Sequence, residues 1–157
     1  MKPTVYIETS VIGYLTARPS RDLIVAAHQQ ITTEWWEISL PNLDGFISPI
    51  ILEEISKGDA QAAQKRLAVV EPFEILELIP EIKELADLYF DAVDLPEKAR
   101  ADAYHLAMAI EHGMDYLVTW NCVHIAGARV NRIVESINSE RNLQTPFICT
   151  PEELMEV

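Results

Sequence analysis

Positive charge is scarce in this chain: 12 Lys and Arg stand against 25 Asp and Glu, a net charge of −13. So acidic a surface repels nucleic acid at long range and argues against a plain nucleic-acid binder. It leaves room for an enzyme that reaches phosphate through a bound cation, because the metal supplies the positive charge locally. It also suits a basic protein partner, or solubility alone. Cysteine is nearly absent. Cys122 and Cys149 lie far apart and match no metal spacing, and a reduced, cytoplasmic protein is the simplest reading. No apolar run approaches a membrane span. The start MKPTVYIETS has no long apolar segment behind its lysine, so no signal peptide is expected. Neither G-x-G-x-x-G nor G-x-x-x-x-G-K-[ST] occurs, which disfavours nucleotide binding.

What is present is apolar residue in quantity, 49% of a 157-residue chain, enough for one domain with a sizeable core. Residues 3–8, PTVYIE, read as a first strand. Thr9 or Ser10 can cap a helix that Pro19 ends. Ser20 is placed to cap a longer helix with Asp22 in its first turn. Its expected buried stripe is Leu23, Ile24, Ala27, Ile31, Trp35 and Ile38. Residues 46–48 read as strand two, and Pro49 opens a helix that closes at Gly58. Asp59 caps a fourth helix. Residues 73–78 alternate as a third strand with Phe73 and Ile75 on one side. Pro80 begins a helix with Ile82, Leu85, Leu88 and Tyr89 or Phe90 inward.

Residues 101–121, ADAYHLAMAIEHGMDYLVTWN, organise the rest. Ala99, Ala103, Leu106, Ala107 and Ile110 form a helical stripe, Gly113 stops the helix, and 115–119 read as a buried strand. A helix is expected from just after Asn121 to about Asn138, then a fifth strand at 146–149. Thr150-Pro151-Glu152-Glu153 has the form of a helix start. The alternation of strands and helices predicts a three-layer α/β/α Rossmann-like sandwich with a central parallel sheet, as one domain.

Polar residues stand where such a sheet binds ligands, at the carboxyl ends of its strands. Glu8 ends strand one, Glu54 follows strand two, Asp102 lies beside the apolar stripe, and Asn121 follows strand four. Three carboxylates and an amide are oxygen donors suited to a hard cation, Mg²⁺ or Mn²⁺. Carboxylates gathered this closely repel one another without a cation. Asn121 has a second reading, as the cap of the helix after it.

The runs YIETSVIGYL, SPIILEEI, DAYHLAMA and LVTWN resemble, in order, the four motifs of PIN domains, including the VapC toxins of toxin–antitoxin pairs. The resemblance spans nearly the whole chain. It implies a Rossmann-like sandwich with a metal-dependent nuclease site acting mostly on RNA, a 5′-phosphate product, a homodimer, and an antitoxin partner that holds the toxin inactive. By that resemblance Glu54 takes the second acidic position, with Glu53 as the alternative about 100° round the helix, and Asp102 takes the third. Glu8 stands where the family usually has Asp, and Asn121 where it often has Asp. Glu8, Glu54 and Asp102 are the expected metal ligands, and Asn121 would orient water or metal. Thr9, Ser10 and Thr119 carry hydroxyls that could hold the carboxylates from behind. The rival reading is a PIN fold that has lost catalysis and serves as a binding module.

Other residues invite weaker readings. His105, one turn after Asp102, could touch phosphate but reads more readily as a structural histidine. His124 and Cys122 have no partners at soft-metal spacing. Trp35 and Trp36 could stack on bases, though one fits the core stripe. Arg18, Arg21, Lys98, Arg100, Arg129 and Arg132 could meet an RNA backbone if the fold gathered them; scattered solvated charge is the safer expectation. A haloacid-dehalogenase-type phosphatase needs D-x-D after strand one, and IETS lacks both aspartates.

Overall fold

The computed structural model describes residues 1–155. The elements run β1 (Thr4–Ile7), α1 (Thr9–Thr16), α2 (Leu23–Glu34), β2 (Asp44–Ile47), α3 (Pro49–Ile55), α4 (Ala60–Val70), β3 (Glu74–Ile75), α5 (Pro80–Val93), α6 (Arg100–Glu111), β4 (Tyr116–Val118), α7 (Ala128–Glu140) and β5 (Phe147–Cys149). The sheet is wholly parallel in the order β3-β2-β1-β4-β5. Strand order therefore reverses at β1, with β2 on one side and β4 on the other. Crossover helices cover both faces, and the architecture is a three-layer α/β/α sandwich with a central parallel sheet. No helix among the described residues is long and apolar enough to cross a membrane.

The central strands are buried on both faces, so their residues need not alternate. Val5, Tyr6 and Ile7 are all inaccessible, as are Leu117 and Val118. The stripe of α6 packs as its spacing requires: Ala103, Leu106 and Ala107 are fully buried, Ala99 and Ile110 nearly so. Gly113 then takes φ +64, a left-handed conformation that closes the helix and turns the chain into β4. Asp59 caps α4 by accepting Ala62 N–H at 3.0 Å.

Several local expectations need correction. The cap of α1 is Glu8, whose side chain accepts Ser10 N–H, and neither Thr9 nor Ser10 fills that place. The cap of α2 is Asp22, which accepts from Ile24 and Val25 at 3.0 Å each. The helix thus begins at Leu23, and Leu23 and Ile24 stand in its open first turn, 86% and 69% exposed. Beyond Glu34 the helix widens into a π-turn over Trp35–Ser39. The extra residue per turn shifts the rotational phase, so Trp35 is fully buried while Ile38 faces out.

At the sheet edge, β3 is two residues long, and Leu76, not Ile75, reaches the core. In α5, Leu88 is turned outward while Tyr89 is buried, donating its hydroxyl to Asn138. Lastly, Asn121 opens a turn and not a helix. Its Oδ1 accepts His124 N–H at 2.9 Å, and α7 starts later, at Ala128. Gly127 permits that turn to close, since a Cβ there would lie 2.7 Å from the Cys122 carbonyl oxygen. Thr150 and Glu153 do exchange the reciprocal bonds of a capping box, Thr150 N–H to Glu153 Oε1 and Glu153 N–H to Thr150 Oγ1, but the expected helix is not among the described residues, where 151–155 form turns.

Candidate functional site

The reversal of strand order opens a crevice at the carboxyl ends of β1 and β4, and Glu8 sits in it. The Glu8 N–H bonds to Val118 O at 3.1 Å, fixing the residue at the seam of the two strands. Glu8 is buried, with 4% exposure. Ser10 Oγ and Thr119 Oγ1 both donate to Oε1 at 2.5 Å, and Ser10 N–H donates to Oε2 at 3.1 Å. Charge-assisted bonds of this kind are what let a carboxylate remain in so dry a place. The longer arm of glutamate folds back over the start of α1 and reaches its own capping position.

Pro49 and the Ser48 cap start α3, and the helix carries Glu53 and Glu54 in its last turn. Glu53 faces solvent at 74% side-chain exposure and lies 3.7 Å from Lys57. Glu54 turns into the crevice. Its Oε1 accepts from Thr9 Oγ1 and from His105 Nε2, each at 2.6 Å. Burial by itself pushes the Glu54 carboxyl up. The hydrogen bond and charge of His105, the Thr9 bond and the charge of Lys57 outweigh it and hold the group below the usual carboxylate range.

His105 is completely buried on α6. Its Nδ1 meets the Tyr6 hydroxyl at 2.8 Å, and that hydroxyl meets Ser48 Oγ at 2.8 Å. Burial pushes the imidazole down; the bond to Glu54 and the charges of Glu8, Glu54 and Asp102 overcome this and raise it. The Tyr6 hydroxyl is driven well up, chiefly by burial, with the Glu8 and Glu54 charges adding to it.

Asp102, in the first turn of α6, is drawn to the other side of the same crevice. Its Oδ2 lies 3.1 Å from His124 Nδ1. Burial raises its pKa more than His105, His124 and Asn121 lower it. The structure thus brings Glu8 and Glu54 together, with Thr9, Ser10 and Thr119 bonded directly to them. Asp102 and Asn121 gather instead about His124.

One oxygen of Glu8, one of Glu54 and one ring nitrogen of His105 lie within 4.8 Å of one another. Two carboxylates and an imidazole at that spacing form a donor set able to hold a metal ion. Tyr6 escaped the sequence reading, and His105, read there as structural, is fully buried, though its bond to Glu54 was not foreseen. The signals were there: His105 stands three residues after Asp102 on the same helix, and a tyrosine in a central strand needs a partner for its hydroxyl.

Several of the aromatic and basic residues are engaged within the protein. Trp35 is core, and Trp36 packs edge-on against Phe73 at 5.5 Å. Arg100 pairs with Glu97 and Asp87, and Arg129 donates to Val93 O. Trp120, beside the site, is already stacked on His28 at 4.0 Å between centroids.

No protein-family model matches this sequence, and no curated protein matches it. Among solved structures, a chain in the crystal structure of VapBC2 from Rickettsia felis bound to a DNA fragment from their promoter is similar to this one. The two superpose with a TM-score of 0.59 over 94% of this chain and 98% of that chain, at 15% identity. The likeness is one of fold. It agrees with the PIN-type architecture and with the motif resemblance to VapC.

Proposed function

We propose that this protein is a divalent-metal-dependent ribonuclease of the VapC type, the toxin of a type II toxin–antitoxin pair. The observation that carries the reading is the convergence of Glu8, Glu54 and His105 within 4.8 Å at the reversal of strand order. Glu8 and Glu54 would hold the cation, with Asp102 completing the set from across the crevice. A cation bound there supplies charge stabilisation on phosphate and a more acidic water. The chain's own work is placement. Ser10 and Thr119 hold Glu8, Thr9 and His105 hold Glu54, and His124 holds Asp102. Asn121 orients His124 through its backbone N–H and stands ready to orient water or metal.

The acidic surface is consistent with local positive charge coming from the metal, and with a basic antitoxin as partner. An antitoxin is further supported by the similar chain's assembly, a VapBC2 complex. A homodimer and a cytoplasmic setting complete the proposal. The test is degradation of structured RNA with Mn²⁺ by wild type, Glu54→Gln and Asp102→Asn. Wild type should cut and both variants should lose at least tenfold in rate; equal cutting by all three rejects the site.

A second reading, a PIN fold without catalysis, has one observation in its favour. Both oxygens of Glu8 are already satisfied by protein donors, so that carboxylate is stable without an ion. Binding of Mn²⁺ without RNA cleavage would favour this reading.

A further inference from the structure

The two oxygens of Glu54 are treated unequally. Oε1 takes both donors, Thr9 Oγ1 and His105 Nε2. Oε2 accepts no hydrogen bond among the described residues, and the side chain keeps 29% exposure. His105 has no exposure, and both of its nitrogens are engaged. Behind it, Tyr6 bridges to Ser48, which caps α3 by accepting Ile51 N–H at 3.3 Å. The chain of contacts thus runs from the amino end of α3 back to the Glu54 carboxylate in the last turn of the same helix.

One run of donors satisfies every atom in it. Ser48 donates to Tyr6, Tyr6 to His105 Nδ1, and Nε2–H to Glu54 Oε1. Adjacent ligand atoms on an octahedral ion with bonds near 2.1 Å lie about 3.0 Å apart. The 2.6 Å between Nε2 and Oε1 is instead a hydrogen-bond spacing, with the proton where a ligating lone pair would have to be.

We propose that His105 is a positioning residue and not a metal ligand: braced by Tyr6 and Ser48, it clamps Glu54 Oε1 and so presents Oε2 to the cation. This rests on the metal-site part of the reading above. It makes Glu54 a ligand through one oxygen, and it gives Tyr6, remote from any substrate, an effect on metal affinity.

The experiment is Mn²⁺ titration of the full chain followed by electron paramagnetic resonance, with pulsed detection of nitrogen coupling. Wild type, His105→Leu, His105→Gln and Tyr6→Phe are compared, each first checked for folding by circular dichroism. Wild type should bind Mn²⁺ with no nitrogen coupling from His105. His105→Leu should weaken binding about 10–100-fold, the scale on which outer-shell partners act. His105→Gln, whose amide can still donate to Oε1, should recover part of the loss, and Tyr6→Phe should lose less than His105→Leu. Should the leucine variant not fold, the glutamine and phenylalanine variants carry the comparison, each expected to bind more weakly than wild type.

A wild-type nitrogen coupling that vanishes in His105→Gln makes His105 a ligand and overturns the proposal. Equal affinity across the folded variants overturns it too, with the metal site left standing. A wild type that binds no Mn²⁺ overturns both this role and the nuclease reading. Mn²⁺ results as expected with no RNA cleavage remove only the nuclease reading.

Discussion

Thr119 joins the fourth motif to the first. Its hydroxyl donates to Glu8 Oε1 at 2.5 Å and accepts the Asn121 N–H at 2.9 Å. One side chain thereby sets the buried carboxylate at the end of β1 and the turn after β4. Thr119→Val keeps the shape and removes both bonds, leaving part of a buried charge unsatisfied. The expected loss is about 1–3 kcal/mol of folding stability, read by urea denaturation in the presence of a chelator. A valine variant as stable as wild type would mean that Ser10 alone suffices to hold Glu8.

Metal removal should be visible in the melting temperature. Saturation at about a hundred times Kd stabilises a fold by about 2.7 kcal/mol, which for a chain of this size is a rise of about 5–10 °C. Mn²⁺ should produce that rise in wild type, and a chelator should abolish it. In Glu8→Gln the rise should be absent, since the amide offers no charge to the ion. Scanning calorimetry with and without Mn²⁺ decides.

The Glu54–His105 pair makes the metal-free protein's stability depend on pH from both sides. The His105 pKa is raised from its ordinary 6.5, so its contribution is complete below that pH and is lost as pH rises through the folded value. The Glu54 pKa is lowered from 4.5, so its contribution is complete above that pH and is lost as pH falls through the folded value. The stability difference between wild type and His105→Gln should therefore be widest between about pH 4.5 and 6.5 and narrow toward either extreme. Denaturation curves from pH 3.5 to 9 test the shape; a difference constant across that range would show that the pair does not titrate with folding.

Gly45 on β2 is confined by packing. A Cβ there would lie 2.7 and 2.8 Å from two ring carbons of Phe73. That ring packs edge-on against Trp36 and is half-buried. Gly45→Ala should cost about 1–3 kcal/mol, the usual penalty of overpacking. Loss of stability should be relieved in the double variant Gly45→Ala with Phe73→Leu, a double-mutant comparison that isolates the clash.

The strand–helix alternation, the Ala99–Ile110 stripe, the Asp59 cap and the Gly113 stop were all legible, because each rests on residues near in sequence whose periodicity or backbone freedom has one structural answer. The same locality made the acids at strand ends visible as candidates. What escaped depends on phase or distance. The π-turn at Trp35–Ser39 rotated Ile38 out of the expected stripe, and no residue type announces such a turn. The sequence placed the cap of α2 at Ser20; the bonds from Ile24 and Val25 N–H put it at Asp22. Glu54, preferred over Glu53 by the motif resemblance, is the one that turns into the crevice, while Glu53 faces solvent.

Periodicity and local capping were enough to establish a parallel α/β sandwich with acids at the carboxyl ends of its strands, because backbone hydrogen bonding and apolar burial act over a few residues at a time. Which of those acids share a place was settled by packing alone. Glu54 meets His105 across 51 residues of sequence, while Asp102 turns to His124 across 22, and electrostatic partners at such separations are chosen by how helices seat on the sheet.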